Sequence, residues 1–130
     1  MNRVREFLGL YQTPNLETIL AFIDKCSQPI VLTTYDYKNP TIIHANHAHS
    51  ELTGYSTPDL IGKNPKIFQG KNTVASIIVD MHDGLLRFDC WDGVVLNYTT
   101  GGVEYQVYIV IIGLLTHSGD RYYIAAKSKL

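Results

Sequence analysis

Residues 94–127, VVLNYTTGGVEYQVYIVIIGLLTHSGDRYYIAAK, contain three apolar runs separated by two polar, glycine-bearing breaks. Val94 to Tyr98, Val103 to Leu115 and Arg121 to Lys127 are rich in β-branched and aromatic residues, which suit a pleated, half-buried surface. Thr99-Thr100-Gly101-Gly102 and Thr116-His117-Ser118-Gly119-Asp120 supply the residues of antiparallel hairpins. Along the middle run, Val103, Tyr105, Val107, Ile109 and Ile111 share one face, and Glu104, Gln106, Tyr108, Val110 and Ile112 share the other. Both faces turn apolar toward the C-terminal half, so both need cover. Short helices are expected on one side, and the N-terminal lead or a second subunit on the other.

Upstream of these strands, Thr13-Pro14 reads as a cap followed by proline at the first helical position, with Leu16, Ile19, Leu20 and Ile23 on one helical face. An earlier stripe, Val4, Phe7, Leu8 and Tyr11, forms a separate segment. Pro29 to Tyr35 and Thr41 to Ala45 form a hairpin across the turn Asp36 to Pro40. Asn46 to Leu52 is a short helical turn ended by Gly54, and Thr57 caps a second one that Pro58 starts. A third helix runs from Thr73 to Leu86 on Val74, Ile77, Ile78, Met81 and Leu85, its regular pattern ending at Asp83-Gly84. The order is that of an α+β domain: residues 1–27 as a helical lead, residues 28–130 as the domain proper.

The 130 residues are 45% hydrophobic, with 11 Lys plus Arg against 12 Asp plus Glu. That composition describes one globular domain able to form a core without disulfides or a structural metal. A formal charge of −1 argues against nucleic-acid binding. Cys26 and Cys90 follow no CxxC spacing and the Met1 end shows no signal-peptide pattern, which points to the reducing cytoplasm. The run Val107 to Leu115 is too short to cross a bilayer, where about 20 apolar residues are required, so no membrane insertion is expected. No nucleophile elbow, Walker loop or paired catalytic carboxylates can be assembled, so no enzymatic activity is expected. Trp91 reads as core packing or as an interface anchor.

Local residues sharpen the element order. Ala45-Asn46-His47-Ala48 followed by Glu51-Leu52-Thr53-Gly54-Tyr55, the stretch Leu60 to Gly70 (LIGKNPKIFQG), and Asn97-Tyr98 before a glycine hairpin stand in sequence at family-like separations. They resemble the PAS domain family, and within it the light-oxygen-voltage (LOV) branch, over about residues 28 to 128. The resemblance implies a cupped five-stranded antiparallel sheet of order 2-1-5-4-3 around a small cavity. It also implies a sensory module that regulates an effector, a histidine kinase or a diguanylate cyclase, and often dimerises.

In the photoactive branch a cysteine thiol adds to the flavin, and Pro65 holds that position here. Proline has no nucleophile, so the thiol-adduct photocycle should be absent. Asn64, Gln69 and Asn97 match three flavin-contacting amides of the family, and Lys66 replaces a phosphate-binding arginine. A further amide position aligns with Val107, or with Gln106 after a one-residue shift, and the terminal-strand glutamine aligns with Lys127. Losing such partners at a buried ring edge costs about 1–3 kcal/mol each, which disfavours FMN or FAD. His82 sits on the helix where some haem-binding relatives carry a ligand, but the surrounding signature is missing and haem is not expected. His44, His47 and His49 form no metal spacing; His49 takes an apolar-ring position and is expected in the core with one nitrogen satisfied.

Lys127 has two readings. Alternation with Tyr123 and Ala125 would put its ammonium into the cavity, where a small carboxylate could partner it, whereas fraying of the last strand would release it to solvent. For the chain as a whole, the first reading is a sensory module that binds a small ligand or partner, set within a longer regulator. The second is a structural homodimerisation module with a filled cavity.

Overall fold

Both tail hairpins form. The computed structural model describes residues 14–130. β3 (Cys90–Tyr98), β4 (Glu104–Leu115) and β5 (Arg121–Lys129) are antiparallel neighbours. β1 (Ile30–Thr34) pairs with β5 and with β2 (Ile42–Ala45), completing a five-stranded antiparallel sheet of order β2-β1-β5-β4-β3. α1 (Leu16–Lys25) precedes the sheet. Between β2 and β3 come α2 (His47–Thr53), α3 (Thr57–Leu60), a 3-10 turn (Pro65–Phe68) and α4 (Ala75–Phe88). Among the described residues no helix is long and apolar enough to cross a membrane.

Alternation divides the core in two. The inward residues Val31, Val95, Val107, Ile109, Ile111, Tyr123 and Ala125 pack with Leu60, Phe68 and Leu85 from the intervening helices. The opposite face, through Ile30 and Leu32 with Ile43, Tyr122 and Ile124 beside them, receives Ile19 and Ile23 of α1. α1 therefore covers the β1 and β5 side. On the β3–β4 side Val94, Val110 and Ile112 remain exposed. Asn46 ties the layers together: its Oδ1 accepts from the backbone N–H of Ile30 and of His49, each at 3.0 Å, and its Nδ2 donates to Ile23 O at 2.9 Å and Gln28 O at 2.8 Å.

Several boundaries differ from the sequence expectation. The Val4 to Tyr11 stripe and Thr13 lie outside the described residues, and Asn15 caps α1 by accepting from Thr18 N at 2.8 Å. Ser56, not Thr57, caps α3: its hydroxyl accepts from Asp59 N at 3.4 Å, while Thr57 is already the first helical residue and its hydroxyl donates to Ala45 O at 2.7 Å. α4 continues through Asp83-Gly84 to Phe88 and stops at Asp89, whose φ of 59° is left-handed and whose N–H bonds Leu85 O. Gly84 stays helical because it is the contact point for Trp91: a Cβ there would lie 2.9 Å from the indole Cδ1. β3 accordingly starts at Cys90 rather than Val94, with Trp91 opposite Ile111. Trp91 packs half-buried against the inner core and donates its indole N–H to Asp80 at 2.9 Å, which is the core-packing role.

Candidate functional site

The curved inner face of the sheet, the 3-10 turn and α4 enclose a cavity of about 100 Å³. Asn64, Lys66, Gln69, Asn97 and Lys127, the five residues singled out from sequence, all line it. Each arrives by a different local route. Asn64 caps the 3-10 turn, its Oδ1 accepting from Lys66 N at 2.9 Å, so part of its polar capacity is spent on local structure. Lys66 is exposed at the rim, with Nζ 3.5 Å from Asn39 Oδ1. Gln69 ends the same turn. Asn97 points inward from β3 and is buried, its Oδ1 without a hydrogen-bond partner among the described residues.

Lys127 does not fray. β5 continues two residues beyond it, Lys127 pairs with Ile109, and its N–H bonds Pro29 O at 2.9 Å. The Tyr123, Ala125, Lys127 alternation turns the side chain inward, where only 3% of the residue is exposed. Its Nζ lies 3.8 Å from the Phe68 ring centroid and has no hydrogen-bond partner among the described residues. Burial pulls its ammonium down to about 7, since taking the charge out of water favours the neutral amine.

Next to this floor stands His49, fully buried and edge-on to Phe68 at a centroid separation of 5.2 Å. Neither of its ring nitrogens has a partner among the described residues, so the expectation of one satisfied nitrogen is corrected. Burial first, and the Lys127 charge second, hold its pKa down at about 2 and keep it neutral. His44 and His47 point elsewhere: His44 pairs with Asp24 of α1 at 2.7 Å and His47 with Glu51 at 2.8 Å. Among the described residues no cluster of metal-ligating side chains occurs.

The cavity also takes up Lys38, which no sequence pattern assigned to it, and His82, which the sequence marked only as a haem-ligand position. Lys38, in the β1–β2 turn, and His82, on α4, stand with Lys66 in its wall. Burial, then the charges of Lys66 and Lys38, lower the His82 pKa. A turn lysine has no sequence signature of its own, so only the fold could bring Lys38 here. Val107 is buried in the inner core whereas Gln106 is exposed, so the Gln106 amide does not face the cavity.

The residues do not fit a flavin. Pockets for ligands of that size run to roughly 300–1,000 Å³, well beyond this cavity. An amine stands where the resemblance places a glutamine amide, and valine stands at another amide position. The same size argument applies to haem beside His82. Pro65 opens the 3-10 turn in the cavity wall. The two thiols lie away from it: Cys26 Sγ donates to Phe22 O at the end of α1, and Cys90 is exposed at the start of β3.

The model of the PAS domain family matches residues 27–127. The chain belongs to this family. Its sheet order and cavity are those the resemblance implied, and the PAS assignment covers all five strands except the last two residues of β5. Over 120 residues it is 25% identical to a blue-light-activated histidine kinase of Brucella anthropi, matching 92% of this chain and 24% of that protein. Over 117 residues it is 31% identical to a nitrogen fixation regulatory protein of Klebsiella oxytoca, matching 89% of this chain and 23% of that one. The chain thus spans about a quarter of the length of these relatives. Among solved structures, the LOV protein of Rhodobacter sphaeroides superposes with a TM-score of 0.79 at 19% identity, covering 88% of this chain and 65% of that one. The light-state blue-light photoreceptor Aureochrome1 LOV superposes with a TM-score of 0.71 at 21% identity, covering 88% of each. At these identities the likeness is one of fold.

Proposed function

We propose that this PAS domain is a ligand-responsive sensory module of a longer cytoplasmic regulator, and that it signals without a cysteine–flavin adduct. The observation that carries the reading is the cavity whose floor holds buried, unpartnered polar atoms on Lys127 and Asn97. Buried polar groups in native proteins nearly always have partners, and an orphaned pair facing one cavity suits an exogenous molecule. Asn64, Gln69, Asn97 and Lys127 would contact that molecule, and Lys66 at the rim would draw an anion inward. The relatives support an effector of the histidine-kinase kind in the same longer protein, a diguanylate cyclase being the other candidate. The domain itself has no catalytic role in this scheme.

Mechanistically, occupancy of the cavity favours one packing of the sheet against α1 over another, and the size of the shift is bounded by the ligand's differential affinity for the two states. The route is short. Asn46 bonds the end of α1, the start of β1 and the first turn of α2, whose His49 lies against the cavity-lining Phe68. Residues 1–27 are then the output-coupled lead and residues 28–130 the sensing unit. Native mass spectrometry of protein as purified, before and after exposure to cell extract, tests the reading. A retained small molecule that is lost in a Val95→Trp variant, whose cavity is filled, supports it. A persistently empty cavity that admits no small solute removes it.

A second reading rests on a different surface. Val94, Val110 and Ile112 are exposed together on the outward face of β3–β4, where Asp92 pairs with Val110 and Cys90 with Ile112. This strip suits a homodimer contact. Sedimentation of wild type and Val110→Glu decides it: a dimer that the glutamate dissociates supports the contact, and a monomer at high concentration refutes it.

A further inference from the structure

Charge is distributed one-sidedly around the cavity. Lys127 lies at the buried floor, Lys38 and Lys66 are exposed at the rim, and His82 stands in the wall. Among the described residues no Asp or Glu lines it. The remaining surface is largely aliphatic, with Ile109, Ile111, Leu85 and Val95 facing the space. An amine sealed from water, over an aromatic face and without an acceptor, is costly to keep unless something supplies the acceptor.

We propose that the cavity is a receptor site for a small organic monocarboxylate, its carboxylate meeting Lys127 and its aliphatic body lying against Ile109, Ile111, Leu85 and Val95. The inference rests on reading the cavity as the ligand site and names the chemical class that enters it. Three features select this class. The cavity, at about 100 Å³, is smaller than the roughly 150 Å³ void that holds a benzene ring, which restricts the ligand to a short or branched acid. A cationic ligand would meet three lysines and no acid. A neutral hydrocarbon would leave Lys127 Nζ without an acceptor.

Binding then carries a proton with it. The free amine titrates near 7 because it is buried, and a carboxylate beside it favours the ammonium, so complex formation takes up one proton above that value. The other titratable groups around the floor stay fixed: His49 on α2 is neutral, and Tyr105 on β4 and Tyr123 on β5 are pushed up to about 12. At the wall, burial first and the neighbouring Lys66 and Lys38 charges second lower the His82 pKa. Affinity should accordingly fall about tenfold per pH unit above about pH 7.

The experiment is calorimetric titration of the chain with monocarboxylates from acetate to benzoate and with their primary amides, in wild type, Lys127→Met and Lys127→Gln. Expected is a branched short acid such as isovalerate that binds wild type at least tenfold more tightly than its amide. That preference should disappear in both variants, and buffer-dependent heats above neutrality should show proton uptake. Circular dichroism confirms that the variants are folded. If the amides bind as well as the acids, or if the variants keep the acid preference, the carboxylate inference is overturned while the cavity remains a ligand site. If neither series binds wild type, the carboxylate inference is overturned, and the ligand reading is decided by the native mass spectrum alone.

Discussion

Replacing Lys127 by methionine should stabilise the domain, and by more at pH 7 than at pH 9. Burial lowers the Lys127 pKa from 10.5 to about 7. Between those values the unfolded chain binds a proton that the folded chain does not. The native state therefore gains stability as pH rises through the window and loses it as pH falls. One pKa unit is worth about 1.4 kcal/mol, so wild type should carry a penalty of about 4 kcal/mol near pH 7 and about 2 kcal/mol near pH 9. Methionine fills much of the same volume, brings a thioether suited to the neighbouring Phe68 ring and removes the ionisable group. Urea unfolding of both proteins at several pH values measures the difference. Its pH-dependent part should shrink by about 2 kcal/mol between pH 7 and pH 9, and the titrating tyrosines, common to both proteins, cancel. A difference that does not change with pH would show that the amine keeps its proton or reaches water, and the argument for a dry cavity floor would go with it.

Asn46→Ala should cost about 3 kcal/mol or more in the same assay. It strips the Ile30 N–H and the Gln28 carbonyl of their side-chain partner, and leaves the His49 N–H and the Ile23 carbonyl with only their backbone bonds to Asn46 O and Cys26 N. Gly84→Ala, which in an exposed helix would gain about 1 kcal/mol, should instead lower the melting temperature. The new methyl would lie 2.9 Å from the Trp91 ring and 3.3 Å from Cys90 O, and a gain in stability would mean that the indole is free to move aside. Incubation with FMN followed by desalting should leave no bound flavin absorbance. A reversibly bleaching flavin band under blue light would refute both the size argument and the assignment of Pro65 to the reactive position.

Strand order and helix type were legible because period-two and helical spacing report burial, and burial is what this sheet imposes. Tyr105, Val107, Ile109 and Ile111 alternate strictly and all face inward. Boundaries were less legible wherever a tertiary partner outbid a local signal. Thr57 is a good cap in isolation, yet the chain enters the helix one residue earlier, at Ser56, and the Thr57 hydroxyl ties α3 to Ala45 O of β2. Asp83-Gly84 is a reasonable helix stop, yet the approach of Trp91 makes a small residue useful inside α4. The 3-10 turn Pro65–Phe68 has no apolar period to announce it, and it is held by one side-chain cap from Asn64.

The site was readable in its membership but not in its electrostatics. A motif can nominate Asn64, Gln69 and Asn97, but the spacing of residues 123, 125 and 127 does not say whether the strand continues far enough to seal a lysine. That depends on Ile109 as its pairing partner and on the carbonyl of Pro29, contributed from 98 residues away. Once sealed, Lys127 changes what the cavity can accept. An amide at that place offers both a donor and an acceptor, and so suits a heteroaromatic edge that presents both. An amine offers donors alone when protonated and asks for negative charge in return. The bare positive rim of Lys38 and Lys66 points the same way. A PAS cavity with a buried amine at its floor, where the resemblance implies an amide, presents different chemistry within the same walls. The sensing half of such a domain can therefore alter its ligand class through very few residues, because the sheet curvature and the α1 contact that would carry the signal do not depend on them.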